Sequence, residues 1–290
     1  MEIIRTIEWM KQTARQAEAN GRVIGLIPTM GALHEGHLSL VRAAKEQCST
    51  IVVSIFVNPK QFGPAEDFQK YPRDLDKDRG LLENLGVDYL FIPEAGEMYP
   101  RDFRTFVRVE GLSDKFEGRS RPGHFQGVTT VVLKLFEIVR PRFAYFGRKD
   151  AQQARIIRQM SADLNLDSEI VVRPILREAD GFAMSSRNAY LKNGDRRAAQ
   201  ILFQSLDAVG REIATGARET SSLLEILRST VASERAAKLD YAAIVDADSF
   251  EPVDLLRGDC LILIAAYIGS TRLIDNCLVE EHDSTFAVSL

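Results

Sequence analysis

Residues 51–57 read IVVSIFV, an almost unbroken apolar run dominated by β-branched side chains. A strand with one wet face alternates polar and apolar residues. A continuous run needs cover on both faces, as in a central parallel strand between helical layers. Shorter apolar runs at 23–27, 89–93, 143–146 and 169–174 recur, with helix-patterned stretches at 5–20, 38–48, 74–85, 127–139 and 152–164 among them. This β-α alternation predicts a doubly wound, Rossmann-like parallel sheet over residues 1–176. Two segments fall outside the repeat. Residues 103–109 are expected to add a strand, and the Gly-, Arg- and Pro-rich residues 111–126 to form a loop. After Asn193 the pattern changes to two helices (198–215, 221–237) and three strands (241–246, 260–268, 272–279). The expectation is a smaller α+β C-terminal domain over residues 177–290.

In such sheets ligands sit at the C-terminal ends of the strands. The loop that follows residues 23–27 carries Pro28, Gly31, His34, Gly36 and His37 and leads into a helix. A helix N-terminus presents unpaired N–H groups and a positive dipole end to an anion. Two imidazoles three residues apart can face the same spot, which suits a triphosphate. Two ordinary surface histidines, or half of a zinc site, are the competing readings. No third zinc ligand lies nearby, and the strand-loop-helix context favours the nucleotide. Three further loops occupy equivalent positions. Residues 58–63 carry Gln61. Residues 147–150 (GRKD) offer Lys149 to phosphate and Asp150 as a helix cap. Residues 183–188 (AMSSRN) offer hydroxyls and a guanidinium, either to phosphate or as a solvated linker. Gln61 and Gln153 suit a small polar substrate or simple surface exposure. Arg119, Arg121 and His124 screen phosphate or are solvated. Asp76 and Asp78 lie on a charged helix, where solvation is the ordinary reading and Mg²⁺ ligation at Asp78 the minority one.

Bulk properties exclude several classes. A net charge of −4 and a pI near 5.7 lack the basic footprint of a nucleic-acid binder. Residues 260–268 are too short to span a bilayer. The three cysteines fit neither a disulfide framework nor a C-x-x-C site, and with no signal-peptide shape at residues 1–12 the expected setting is the reducing cytoplasm. Neither the G-x-x-x-x-G-K-[ST] nor the G-x-G-x-x-G phosphate loop is present, nor a G-x-S-x-G elbow.

Several motifs together are similar to the pantoate–β-alanine ligase family of the nucleotidyltransferase superfamily: PTMGALHEGHLSLV (28–41), SIFVNPKQFGPAEDFQKYPR (54–73), EGRSRPGHFQGVTTVVLKLFEIVRP (117–141), FGRKDAQQ (146–153), READGFAMSSRNAYL (177–191) and TRLIDN (271–276). The resemblance runs nearly the full length. Arg148 and Ala151 depart from it, standing where the family often has Glu and an aromatic residue. It implies ATP-dependent condensation of (R)-pantoate with β-alanine through pantoyl-adenylate, Mg²⁺ accompanying ATP, and a homodimer. It implies that Met30, Gly31, Ala32, Leu33, His34, Glu35, Gly36 and His37 contact ATP, together with Gly147, Arg148, Lys149, Asp150, Leu176, Met184, Ser185, Ser186 and Arg187. By the same resemblance Gln61 and Gln153 hold pantoate, Gln61 also serves β-alanine, and His37 is the proton donor, with His34 and Lys149 stabilising charge.

Overall fold

The computed structural model describes residues 1–64, 66–283 and 285–290. The chain divides into two compact units, one of Met1–Arg148 with Gln152–Arg173, the other of Lys149–Ala151 with Pro174–Leu290.

The first unit runs β1 (Glu2–Ile4), α1 (Ile7–Ala19), β2 (Ile24–Thr29), α2 (Glu35–Gln47), β3 (Thr50–Ile55), α3 (Leu75–Asn84), β4 (Tyr89–Phe91), α4 (Ala95–Met98), α5 (Phe116–Ser120), α6 (His124–Val139), β5 (Phe143–Gly147), α7 (Ala151–Asp163) and β6 (Glu169–Arg173). Its strands form one sheet in the order β1-β4-β3-β2-β5-β6, with every pair parallel. Successive strand residues feed opposite faces. Ile24, Leu26, Val52 and Phe91 join a core with α1 and α6, while Ile27, Ile51, Val53 and Leu90 join one with α2 and α3. That is why β2 and β3 are buried almost throughout, as the unbroken apolar runs require. From β2 the chain moves to β3 on one side, and β5 lies on the other, so the loop after β2 opens where the strand order reverses.

Two expectations are corrected. Residues 103–109 form no strand. Their backbone is held by hydroxyls on α6: the Val107 N–H donates to Thr130 Oγ1 (3.0 Å), and Thr129 Oγ1 donates to the Val107 carbonyl (2.6 Å). Residues 111–126 are not all loop, since they contain α5 and the start of α6, which begins at His124 rather than residue 127.

The second unit comprises α8 (Asn193–Ala198), α9 (Ile201–Ala214), α10 (Thr220–Ala232) and strands β7 (Ala237–Asp246), β8 (Cys260–Ile268), β9 (Thr271–His282) and β10 (Thr285–Ser289). The strands make an antiparallel sheet in the order β10-β9-β8-β7. Leu202, Leu206 and Val209 of α9 and Leu223 and Leu227 of α10 share its core with Ile262 and Ile264 of β8. Among the described residues no helix is long and apolar enough to cross a membrane.

In the first unit, one contact of α6 fixes the loop after β3. A Cβ built on Gly127 would lie 2.3 Å from the Lys60 carbonyl oxygen, which belongs to the 3₁₀ turn Pro59–Gln61. Gly127→Ala gains helix propensity of about 1 kcal/mol, but overpacking against backbone costs about 1–3 kcal/mol. The expected result is a net loss of stability, read as a lower urea midpoint. A midpoint at or above the parent's would mean that the turn moves aside freely.

Candidate active site

The loop after β2 is built by hydrogen bonds that turn inward. Gly31 and Ala32 both adopt left-handed backbone, at φ +83° and +51°. The Gly31 N–H donates to Thr29 Oγ1 (3.2 Å). The Ala32 and Leu33 N–H groups donate to Asp78 Oδ2 and Oδ1 (2.8 and 2.7 Å). Asp78 projects from the first turn of α3 and is 2% exposed. Burial raises its carboxyl from the ordinary value, against the pull of the two N–H bonds. Its position beneath the loop gives it a structural task that the metal reading did not include. Each oxygen already accepts a main-chain donor, and no cluster of three or more His, Cys, Asp or Glu suited to a metal occurs among the described residues.

Helix α2 begins at Glu35, earlier than its apolar periodicity indicates, so His34 is its N-cap and His37 lies in its first turn. The two rings cap reciprocally. His34 Nδ1 accepts from the Gly36 N–H (3.2 Å), and His37 Nδ1 accepts from the His34 N–H at a longer 3.4 Å. The ring centroids are 4.1 Å apart. A backbone N–H can only donate, so each neutral ring carries its proton on Nε2. This differs from the sequence expectation of outward-pointing main-chain donors. The N–H groups of Gly31, His34 and Gly36 are engaged within the loop, and those of Ala32 and Leu33 by Asp78.

Gln61 lies beside this loop. Its Oε1 accepts from Asn58 Nδ2 (3.0 Å), and its Nε2 is 3.3 Å from Met30 Sδ. Asn58 also donates to the Gly127 carbonyl (3.0 Å) and accepts at Oδ1 from the Lys60 N–H and the Tyr99 hydroxyl. With its oxygen held by Asn58, the Gln61 amide presents N–H as its donor end. Gln152 is buried and bonded to the Glu117 N–H and to the Leu112 and Lys115 carbonyls, whereas the adjacent Gln153 is half-buried.

Arg121 and His124 serve Gln61 rather than solvent. Arg121 pairs with Glu66 (2.5 Å) and donates to His124 Nε2 (3.0 Å), which leaves His124 Nδ1–H to donate to the Gln61 carbonyl (2.9 Å). Burial, and then the Arg121 charge, push the His124 pKa down to about 4. Burial works the other way on Glu66, but the Arg121 bonds and charge hold it below the ordinary carboxylate value.

In the second unit, Lys149 Nζ is 3.5 Å from Asp150 Oδ1, and the Lys149 carbonyl accepts from Asn276 Nδ2 (2.9 Å). The stretch around Met184 is a fixed turn. Arg177 and Ala183 form a bridge, the Met184 N–H donates to the Leu176 carbonyl (3.0 Å), and Ser185 caps the 3₁₀ turn Ser186–Tyr190. Asn188 donates to the Ala183 carbonyl and to Glu178. Arg196 pairs with both Glu178 and Asp180. Sequence reasoning gave no role to Asn58, Asp275 or Asn276. All three sit inside motifs it singled out, but their function is to hold other residues, which spacing does not display.

A parallel sheet with a histidine-capped loop at its switch point defines an α/β enzyme of the nucleotide-binding kind. Comparison with known proteins narrows the class. The pantoate–β-alanine ligase family profile matches residues 2–278. A pantothenate synthetase from Heliobacterium modesticaldum is 54% identical over 280 residues, spanning 97% of this chain and all of that one. One from Caldicellulosiruptor saccharolyticus is 51% identical with the same coverage. The crystal structure of the Thermus thermophilus pantothenate synthetase superposes with a TM-score of 0.91 at 42% identity, covering 95% of this chain and 98% of that one. The Francisella tularensis ligase, complexed with beta-gamma ATP and β-alanine, gives a TM-score of 0.79 at 36% identity, covering 95% and 97%. The chain belongs to the pantoate–β-alanine ligase family.

The His124 geometry yields a pH prediction. Its folded pKa lies below the ordinary 6.5, so between these values the unfolded chain binds more protons. The stabilisation is complete above pH 6.5 and is lost as pH falls towards 4. At about 1.4 kcal/mol per pKa unit this amounts to about 3 kcal/mol. His124→Gln removes that titration and should flatten the dependence of the urea midpoint on pH between 6.5 and 4. An unchanged slope would mean that His124 titrates normally.

Proposed function

We propose that this chain joins (R)-pantoate to β-alanine in two steps. In the first, a pantoate carboxylate oxygen bonds to the α-phosphorus of ATP, the bond to the bridging oxygen breaks, and pyrophosphate leaves. In the second, the β-alanine nitrogen bonds to the acyl carbon of pantoyl-adenylate. The acyl–oxygen bond breaks, AMP departs, and the nitrogen, which enters as an ammonium, gives up two of its three protons to solvent and keeps one as the amide N–H. Pantothenate is the product.

One observation carries this reading: the His34–His37 capping pair, with both Nδ1 atoms held, stands in the same loop as Met30, which touches Gln61. The pair supplies Nε2–H donors to phosphate oxygens, where negative charge moves onto pyrophosphate in the transition state. His37 is assigned as proton donor, and Lys149 adds a fixed positive charge. Residues 30–37, 147–150 and 184–187, with Leu176, are assigned to ATP. Gln61 and Gln153 are assigned to pantoate, and Gln61 also to β-alanine. The Gln61 amide N–H suits a carboxylate or hydroxyl oxygen. A phosphorylated acceptor would need a basic cluster there, and Arg121 is occupied by Glu66. With Asp78 engaged in the loop, Mg²⁺ belongs to the reading as part of the ATP substrate, neutralising its phosphates. A homodimer in the cytoplasm completes the reading, consistent with three free cysteines.

Labelled pyrophosphate should exchange into ATP in the presence of pantoate and the absence of β-alanine. Exchange that requires β-alanine, or that ignores pantoate, would exclude the adenylate route. His37→Ala should lower kcat for exchange roughly 10²–10³-fold, the loss typical of one preorganised donor. A folded variant with parental kcat would remove His37 from the chemistry.

A further inference from the structure

Two consecutive polar residues, Asp275 and Asn276, lie in β9 at 3% and 2% exposure, between the half-buried Ile274 and the buried Cys277. Replacing a buried ion pair by packed apolar residues is often neutral or stabilising. What the polar pair supplies is fixed geometry, and its partners indicate what is fixed.

Asp275 accepts both terminal nitrogens of Arg177 (2.7 and 3.0 Å) and the Asn276 N–H (2.8 Å). Arg177 donates in addition to the Gly181 carbonyl (3.0 Å) and to the Asn276 carbonyl (3.2 Å). It thereby ties β9 to the turn that leads through Ala183 into residues 184–187. The other arm is Asn276, whose Nδ2 donates to the Lys149 carbonyl (2.9 Å) across 127 positions of sequence. Asn276 is thus where the two arms meet: its main chain holds Arg177 and its side chain holds Lys149.

We infer that Asn276 is a positioning residue for adenylate formation, acting through the backbone of Lys149 while its neighbour Asp275 anchors the 177–187 turn. The inference rests on the ligase reading above, in which Lys149 meets the triphosphate. An amine on a flexible four-carbon stem acts at a set place only if its backbone is set. Main-chain drift of Lys149 moves the charge relative to the departing pyrophosphate. Misplacement of about 1 Å can cost as much as 10²-fold in rate. The second half-reaction begins after pyrophosphate has left, so it does not depend on that charge.

The test separates the half-reactions. In Asn276→Ala, pantoate-dependent ATP–pyrophosphate exchange should lose roughly 10- to 10²-fold in kcat. Conversion of supplied pantoyl-adenylate and β-alanine to pantothenate should stay within twofold of the parent, as should the KM for pantoate. Asn276→Ser, a smaller perturbation with a shorter donor, should show the same split to a lesser degree, and is the readout if the alanine variant does not fold. Lys149→Met should reproduce the split in larger measure. Equal losses in both half-reactions, or no loss in either, would overturn the role of Asn276. Failure of the parent chain to exchange would instead overturn the ligase reading.

Discussion

The site in the first unit depends on the bond between one buried carboxylate and two main-chain N–H groups. The loop after β2 must reverse sharply within a few residues, and it does so with two successive left-handed positions. Glycine adopts that conformation freely, but Ala32 does so at a cost of order 1 kcal/mol. Asp78 offsets it by accepting the N–H of Ala32 and of Leu33, one on each oxygen. A Cβ on Gly31 would come within 3.1 Å of the same carboxylate, so the close approach of loop to α3 also requires glycine there. Through this contact α3 fixes where α2 begins, and with it the positions of His34 and His37.

The inward turn of those donors has a chemical consequence. A loop that offered bare N–H groups would bind any anion that fits. This loop uses its N–H groups to set its own shape, and in the proposed reaction imidazole N–H groups take their place. The reciprocal caps fix which nitrogen carries the proton, so each ring is a directed donor without being a permanent charge. Gln61 follows the same logic. Asn58 holds its amide oxygen, His124 and Arg121 hold its carbonyl, and Gly127 allows α6 to press against the turn that carries it. The residue assigned to substrate is thus fixed at both its side chain and its backbone.

The parallel sheet was legible because burial on two faces leaves an unmistakable trace: residues 24–27 and 51–53 have no polar interruption. The residues assigned to substrates were picked out by motif and loop position. Their support was not. Asp78 reads as one acidic residue among Asp74 and Asp76 on a charged helix, and nothing in spacing reveals that it points under a loop 45 positions away. Residues 103–109 carry the composition of a strand but make no ladder, because Thr129 and Thr130 supply their hydrogen bonds from a helix. Arg121 and His124 looked like exposed basic groups because a Gly- and Pro-rich segment suggests solvent. Helical turns at 112–114 and Phe116–Ser120 instead fold that segment so that both are enclosed.

Each unit, taken by itself, holds a different kind of group assigned to the proposed reaction. The first offers neutral donors whose direction is set by caps and amide pairing. The second offers full charges, Lys149 and Arg187, on backbone held by Asn276 and by the Ala183–Asn188 turn. A fixed charge binds ATP and the transition state with similar strength unless its placement favours the latter, and only differential binding raises the rate. In the proposed reaction, backbone anchoring is therefore what would let such a charge favour the transition state over bound ATP. It also accounts for polar residues at the centre of β9: an ion pair that adds little stability is retained where it sets the position of something else.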